Sequence, residues 1–225
     1  MGKLIVTIDG PAASGKSTVA SLLAEKLNAA FLDTGAMYRA VTLAAIQQNA
    51  DLRDQDELLG VLLNTKFKFS AKNHKMFVSI NSADVTEKIR DPQVTANARY
   101  IASAEKLREK LVQMQRDFAA RHKKIVTEGR DQGTVAFPNA NIKFYLTADP
   151  AERARRRQAE LLAKGQKQTI VDILKSIEER DESDINRNVG PLKPADDAIV
   201  IDTTNLTIEK VVQVLLVHVN EKKIS

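Results

Sequence analysis

The residues best equipped for chemistry lie near the start of the chain, in Gly10-Pro-Ala-Ala-Ser-Gly15-Lys16-Ser17. The spacing is that of a phosphate-binding loop, G-x-x-x-x-G-K-[ST]. A polyphosphate carries several negative charges, and successive backbone N–H groups at a helix N-terminus can wrap it. Gly10 and Gly15 let the backbone approach without a Cβ in the way. Lys16 is placed to reach the β- and γ-phosphates, and the Ser17 hydroxyl to ligate Mg2+. Pro11, Ala12, Ala13, Ser14 and Thr18 complete the stretch read as the ATP-binding loop.

Two further groups fall where the same ligand would meet a second one. Asp33-Thr34-Gly35-Ala-Met-Tyr38-Arg39 offers a hydroxyl, an open backbone at Gly35 and a guanidinium suited to a bidentate phosphate contact. An ordinary capped helix with a surface arginine would read the same way, with Thr34 as the cap. Glu128-Gly129-Arg130-Asp131-Gln-Gly133-Thr134 follows an apolar run directly. There Arg130 can hold a phosphate and Asp131 can accept from an amino group or a sugar. Glu128 ends its strand as an acid able to orient Mg2+ through water. The bland alternative is a salt-bridged turn. A third group is basic: Arg153, Arg155, Arg156 and Arg157, then Arg180-Asp181-x-x-Asp184-x-x-Arg187. Charge runs are usually solvated helix faces, but so many arginines together repel one another, and a polyphosphate relieves that. Phosphoryl transfer asks for such cationic clamps more than for covalent chemistry. On a mobile lid they would also exclude water. His74, His122 and His218 lack metal-ligand spacing and read as incidental.

The elements that must position these groups are legible around them. Lys3 to Asp9 is apolar and β-branched, a buried strand, and the helix behind the loop carries Val19, Leu22, Leu23 and Leu27 on one stripe. Further strands are expected at 29–33, 124–129, 141–147 and 198–202. Helices are expected from Thr34 to about Gln48, over 55–63, from Asp91-Pro92, from Ser103 to Arg121, from Asp149-Pro150, from Thr169 to about Arg180, and from Thr207 to about Asn220. Val211, Val212, Leu215 and Leu216 make the core stripe of the last helix. Lys66 to Ala71 and Lys75 to Asn81 alternate in β fashion about a turn at Lys72-Asn-His, with a short third strand after them. Strands separated by helices predict an α/β, doubly wound fold. Specifically, we expect a P-loop NTPase fold with a five-stranded parallel sheet flanked by helices, a small antiparallel β insert and a helical lid. The expected layout is a core of residues 1–63 and 91–225, with the lid at about 153–187 and the insert at 64–90.

Composition bounds the function. The chain has 225 residues, 43% hydrophobic and without cysteine, so disulfides, thiolate metal sites and a cysteine nucleophile are excluded. The chain opens straight into a strand with no leader and no spanning run, which reads as cytoplasmic. A net charge of +5 suits anionic partners, while 4% aromatics with no stacking residues in the basic runs disfavour single-stranded nucleic acid.

These motifs resemble the bacterial cytidylate kinase family, end to end. The resemblance rests on I-D-G-P-A-A-S-G-K-S at 8–17, L-D-T-G-A-M-Y-R at 32–39 and E-G-R-D-Q-G-T at 128–134. It extends through A-E-R-A-R-R-R at 151–157, R-D-E-S-D-I-N-R at 180–187, and the P-L and A-I-V-I-D-T-T segments. It implies a nucleoside-monophosphate-kinase fold, ATP and CMP or dCMP as substrates, and Mg2+; the protein is expected to be a monomer with no nucleic-acid or membrane partner. On matching positions it implies that Thr34 and Asp131 contact the cytidine part, that Arg39, Arg108 and Arg130 bind the CMP phosphate, and that Asp184 and Arg187 address the ribose. Lys16, Arg153, Arg156, Arg157 and Arg180 would act on the transferring phosphoryl. Where similar kinases often carry a base-contacting serine, this chain reads Asn97-Ala-Arg99-Tyr100, with Ser103 nearby. Arg99 cannot accept a hydrogen bond, so that contact is unassigned. Rival readings are a kinase of another small acceptor such as AMP or shikimate, a nucleotide-hydrolysing switch, and a basic RNA-binding module.

Overall fold

In a computed structural model, residues 3–163 and 165–224 are described. Two sheets organise them. The larger has five strands in the order β2-β6-β1-β7-β8, where β1 is Leu4–Asp9, β2 Ala30–Asp33, β6 Lys124–Gly129, β7 Ile142–Thr147 and β8 Ile199–Asp202. The smaller has three, β3 (Phe67–Lys72), β4 (Lys75–Ile80) and β5 (Ala83–Asp84), in chain order. The five strands and the small antiparallel sheet match the expected architecture.

The chain separates into two compact units. One runs over Ile5–Leu23 and from Glu128 onward. In it β1 pairs parallel with β7, Val6 against Ile142 through Asp9 against Tyr145. β7 pairs parallel with β8, Phe144 against Ile199 through Thr147 against Asp202. Parallel neighbours need long crossovers. Between β7 and β8 that crossover is a helical hairpin, α6 (Pro150–Ala163) and α7 (Ile170–Asn186). The hairpin closes on a small apolar core of Ala154, Leu161, Ile173 and Ile177. α7 runs past the expected stop near Arg180, since Asp181 and Asp184 face cationic partners that reward its last turns. α1 (Lys16–Leu27) starts in the phosphate loop, and α8 (Ile208–Ile224) lays Val211, Val212, Leu215 and Val219 inward, packing on β7.

The other unit holds Ala24–Thr127 and the described start of the chain up to Leu4. Its centre is α2 (Thr34–Gln47), buried along most of its length, with α4 (Pro92–Ser103), α3 (Gln55–Asn64) and β4 against it. α2 is capped by Asp33, whose carboxylate accepts from the Ala36 N–H at 2.8 Å. The expected cap, Thr34, is instead the first helical residue. An aspartate in extended backbone at the end of a strand is as good a cap as threonine, and the strand leads directly into it. α4 begins with Pro92 behind an Asp91 cap, and α5 (Glu105–Ala120) buries Leu107, Leu111 and Phe118. In the small sheet the β3–β4 turn places Asn73 and His74 at φ 50° and 57°. Both are left-handed, the backbone that matches a two-residue hairpin to strand twist. β4 buries Met76, Val78 and Ile80 and leaves Phe77 half-exposed, the alternation expected of a strand with one covered face. His74 has a structural contact, its Nδ1 3.0 Å from the Ala29 carbonyl, tying the hairpin turn to the start of β2. His122 is likewise engaged, with Nδ1 2.8 Å from the Phe118 carbonyl and its ring stacked on Phe118. Among the described residues no helix is long and apolar enough to cross a membrane.

Candidate active site

The phosphate loop lies between β1 and α1, as its motif demands. Its shape depends on backbone that side chains resist. Gly10 has φ 147°, and a Cβ there would lie 2.0 Å from the Leu146 carbonyl oxygen, so β7 leaves room only for glycine. Gly15 has φ 87°, and Ala13 holds a left-handed φ of 58° without being glycine. Lys16 is buried, at 5% exposure, and donates from Nζ to the Pro11 carbonyl at 2.5 Å and to Ser14 Oγ at 3.3 Å. Burial pushes its pKa down to about 7, with repulsion from Arg130 adding to the shift and Glu128 opposing it. The Ser17 hydroxyl donates to Glu128 Oε1 at 2.8 Å, joining the start of α1 to the end of β6.

Beside Lys16, Asp9 ends β1. Its carboxylate accepts from the backbone N–H of Gln132 at 2.8 Å and of Gly133 at 2.7 Å. Those two residues open a short π-helical turn, Gln132–Ala136, that follows Arg130 and Asp131. A Cβ at Gly133 would lie 3.1 Å from Lys143 Cδ and from Thr7 Oγ1, so glycine is what lets the turn sit this close. Burial raises the Asp9 pKa to about 7 despite the two donated hydrogen bonds.

Arg130 and Asp131 belong to a half-buried charge cluster with α7. Arg130 Nε donates to Asp184 Oδ2 at 2.7 Å. Arg187 lies 3.7 Å from both Asp184 Oδ1 and Asp131 Oδ1. Carboxylates and guanidiniums therefore alternate. Burial alone would raise the Asp184 carboxyl, but the Arg130 guanidinium, helped by Arg180 and Arg187, holds it below the usual range. Burial pulls Arg130 down, but the charge and hydrogen bond of Asp184, together with the Glu128 and Asp181 charges, keep it above its ordinary value.

The arginine row of α6 does not act as one face. Arg153 turns inward and donates to the Ala148 and Ala12 carbonyls and to Asp181. Arg156 bonds Glu152 and the turn after β8, reaching Thr203 O at 2.6 Å and Thr203 Oγ1 at 3.1 Å. Arg155 pairs outward with Glu152, and Arg157 with Glu160. Arg180 is exposed on α7, close enough to lower the Lys16 pKa.

In the unit built on α2 a second cationic cluster forms. Asp33, besides capping the helix, holds Arg39 at 3.2 Å through its other oxygen, with Arg90 at 4.0 Å. Thr34 is buried beside it. A Cβ on Gly35 would lie 2.9 Å from Arg39 Nη1, so glycine leaves the guanidinium its position. The Arg39 Nε is buried and has no hydrogen-bond partner. Arg108, 2% exposed on α5, donates to the Tyr38 hydroxyl at 3.2 Å and the Ala102 carbonyl at 3.4 Å.

Thus Lys16, Ser17, Glu128, Arg130, Asp131, Asp184 and Arg187 gather around the phosphate loop and its neighbouring turn, while Thr34, Arg39 and Arg108 gather around α2. Arg99 is exposed and stacks on Tyr100, its Nη2 3.4 Å from that hydroxyl. The sequence did not single out Asp9, Asp33, Tyr38 or Asp181. Asp33 carried a signal, an acid just before a helical pattern; for Asp9 and Asp181 no local pattern names partners as distant as the Gln132 and Gly133 N–H groups or the Ala12 N–H and Arg153. No group of three or more His, Cys, Asp or Glu that could hold a metal ion occurs among the described residues.

The family profile described as Cytidylate kinase matches residues 6–221. A protein named cytidylate kinase from Caldicellulosiruptor saccharolyticus is 44% identical over 216 residues, 96% of this chain and 95% of its own length. One of the same name from Halalkalibacterium halodurans is 43% identical over 222 residues, 99% of this chain and all of its own. Among solved structures, a shikimate kinase from Bacteroides thetaiotaomicron aligns with a TM-score of 0.50 at 14% identity, over 97% of this chain and 99% of that one. The last likeness speaks for the fold alone.

Proposed function

Since the chain belongs to the cytidylate kinase family, we propose that it transfers the terminal phosphoryl of ATP to CMP or dCMP, giving ADP and CDP or dCDP. One observation carries the reading. The end of β6 supplies Glu128, bonded to Ser17 of the phosphate loop, and then at once the Arg130–Asp131 pair. A single strand end thus presents a donor-side acid and an acceptor-side cation and anion.

The donor is held by Gly10 to Thr18. Lys16 and the loop N–H groups take the phosphates, and Lys16 exchanges its bond to Pro11 for them. Ser17 and Glu128 fit a Mg2+ site of the kind that borrows most ligands from phosphates and water. Ser17 would hold the ion directly and Glu128 through water, and the ion would neutralise charge on the phosphates.

The acceptor roles follow the chemistry of each group. The buried, unpartnered Nε of Arg39 fits an anion, and Arg108 and Arg130 supply further cations for the CMP phosphate. Thr34 and Asp131 fit a hydroxyl and a carboxylate for the cytidine amino edge, and Asp184 with Arg187 fits ribose hydroxyls. Arg180, exposed and electrostatically felt at Lys16, suits the moving phosphoryl, as do Arg156 and Arg157 once freed from Thr203 and Glu160. In-line transfer then rests on positioning and charge neutralisation rather than on a strong base. Residues 153–187 serve as the lid and 64–90 as the insert of the monophosphate-binding region, in a cytosolic monomer.

The test is a coupled ADP-release assay with Mg-ATP against CMP, dCMP, UMP, AMP, GMP, shikimate and no acceptor. Turnover with CMP and dCMP and little with purines or shikimate is expected. ADP release at the same rate with every acceptor and with none would overturn the reading in favour of a simple NTPase.

A further inference from the structure

Ala12, in the phosphate loop, has both of its backbone polar groups held by one ion pair from the helical hairpin. Its N–H donates to Asp181 Oδ1 at 3.0 Å, and its carbonyl accepts from Arg153 Nη1 at 3.1 Å. Arg153 also donates to Asp181 Oδ2, and its Nε to the Ala148 carbonyl at 3.0 Å, at the end of β7. Arg153 and Asp181 are 5% and 9% exposed, so the contacts are shielded from water. The next residue, Ala13, has the left-handed φ of 58° that costs a non-glycine residue about 1–2 kcal/mol. Its methyl packs against the hairpin core of Ala154, Leu161, Ile173 and Ile177.

The N–H of the Pro11–Ala12 peptide and the C=O of the Ala12–Ala13 peptide are thus both held, which resists rotation of the two peptides flanking Ala12, and the second leads directly into the strained turn that aims the remaining loop N–H groups. We propose that Arg153 and Asp181 are positioning residues that clamp the two peptides flanking Ala12 and so hold the phosphate loop in its ATP-ready shape, Arg153 touching no phosphoryl group. A guanidinium spent on two carbonyls and a carboxylate, and 5% exposed, has to abandon all three to reach a phosphate. The hairpin base is in this sense part of the phosphate loop. The inference rests on the nucleotide-kinase reading only for its choice of ligand.

The test reads binding first and turnover second. ADP and CMP affinities are measured by calorimetry on the full chain for wild type, Asp181→Ala, Asp181→Asn and Arg153→Ala, beside a melting curve for each. Loss of the clamp hydrogen bonds should weaken ADP about tenfold or more in both alanine variants. CMP affinity should stay near that of wild type. Asp181→Asn keeps an acceptor for the Ala12 N–H and should recover most of the loss, which a bulk structural role would not produce. Should an alanine variant fail to fold, Asp181→Asn and Arg153→Lys still report, through a smaller but selective loss for ADP. Unchanged ADP affinity in every variant, or equal weakening of ADP and CMP, would overturn the clamp. So would a collapse of kcat in Arg153→Ala with ADP binding intact, which is the signature of a phosphoryl contact. Failure of wild type to use CMP while ADP binding still depends on the clamp would instead count against the acceptor assignment alone.

Discussion

Asp9 illustrates how a single carboxyl reports on the site's construction. Buried, it has a pKa of about 7, and the unfolded chain returns it to 3.8. The folded state therefore binds more protons than the unfolded one between those values, so stability falls as pH rises from about 4 to 7. Asp9→Asn removes that titration. The melting temperature of wild type minus that of the variant should decrease between pH 5 and pH 8, and a difference independent of pH would contradict the burial argument. Arg130→Ala should raise KM for CMP about tenfold or more while leaving KM for ATP within a factor of about three, since a charge-assisted bond is worth roughly 1.5–3 kcal/mol. Parallel loss for both substrates would remove its acceptor role. Lys16→Ala should abolish turnover and leave CMP binding measurable by titration; an active variant would undo the phosphate-loop argument. At this scale Lys16, Ser17 and Arg130 were legible because a local motif names them. Asp9 and Asp181 were not, because they bind backbone N–H groups 123 and 169 residues away, and no local pattern encodes such partners.

Elements were more legible than their connections. The strands at β1, β6 and β7 and the helices behind them follow from apolar periodicity, and the β3–β4 turn from its Asn-His pair. Periodicity could not say that Arg153 turns inward while Arg155 turns outward, because both fit a basic helix equally well. The hairpin α6–α7 makes the clearest element-level prediction. Its core is small, so truncating Ile177 removes much of what joins the two helices. Ile177→Ala should cost about 2–4 kcal/mol locally. Hydrogen exchange should show it as faster exchange of α6 and α7 amides with β1 and β7 protected as before. Uniformly faster exchange throughout would mean that the hairpin is not a separable cooperative unit.

For the whole molecule, the doubly wound class was legible, but the order β2-β6-β1-β7-β8 was not, since strand neighbours are chosen by crossovers rather than by strand composition. That order has a consequence for how the protein is made. β1 gains its second sheet neighbour only once β7 is made, since Ile5 and its partner Asn141, just ahead of β7, are 136 residues apart. At translation rates of about 5–20 residues per second the wait is roughly 7–27 s. The unit that ends at Thr127 is fully synthesised well before then, although the phosphate loop precedes most of it in the chain. Nascent chains stalled with about 130 residues outside the tunnel should resist protease over the α2 region while their phosphate loop is still cut, and the loop should gain protection only after β7 has emerged. The phosphate loop is thus translated ahead of the strand that completes its support, and its protection depends on a segment made more than a hundred residues later.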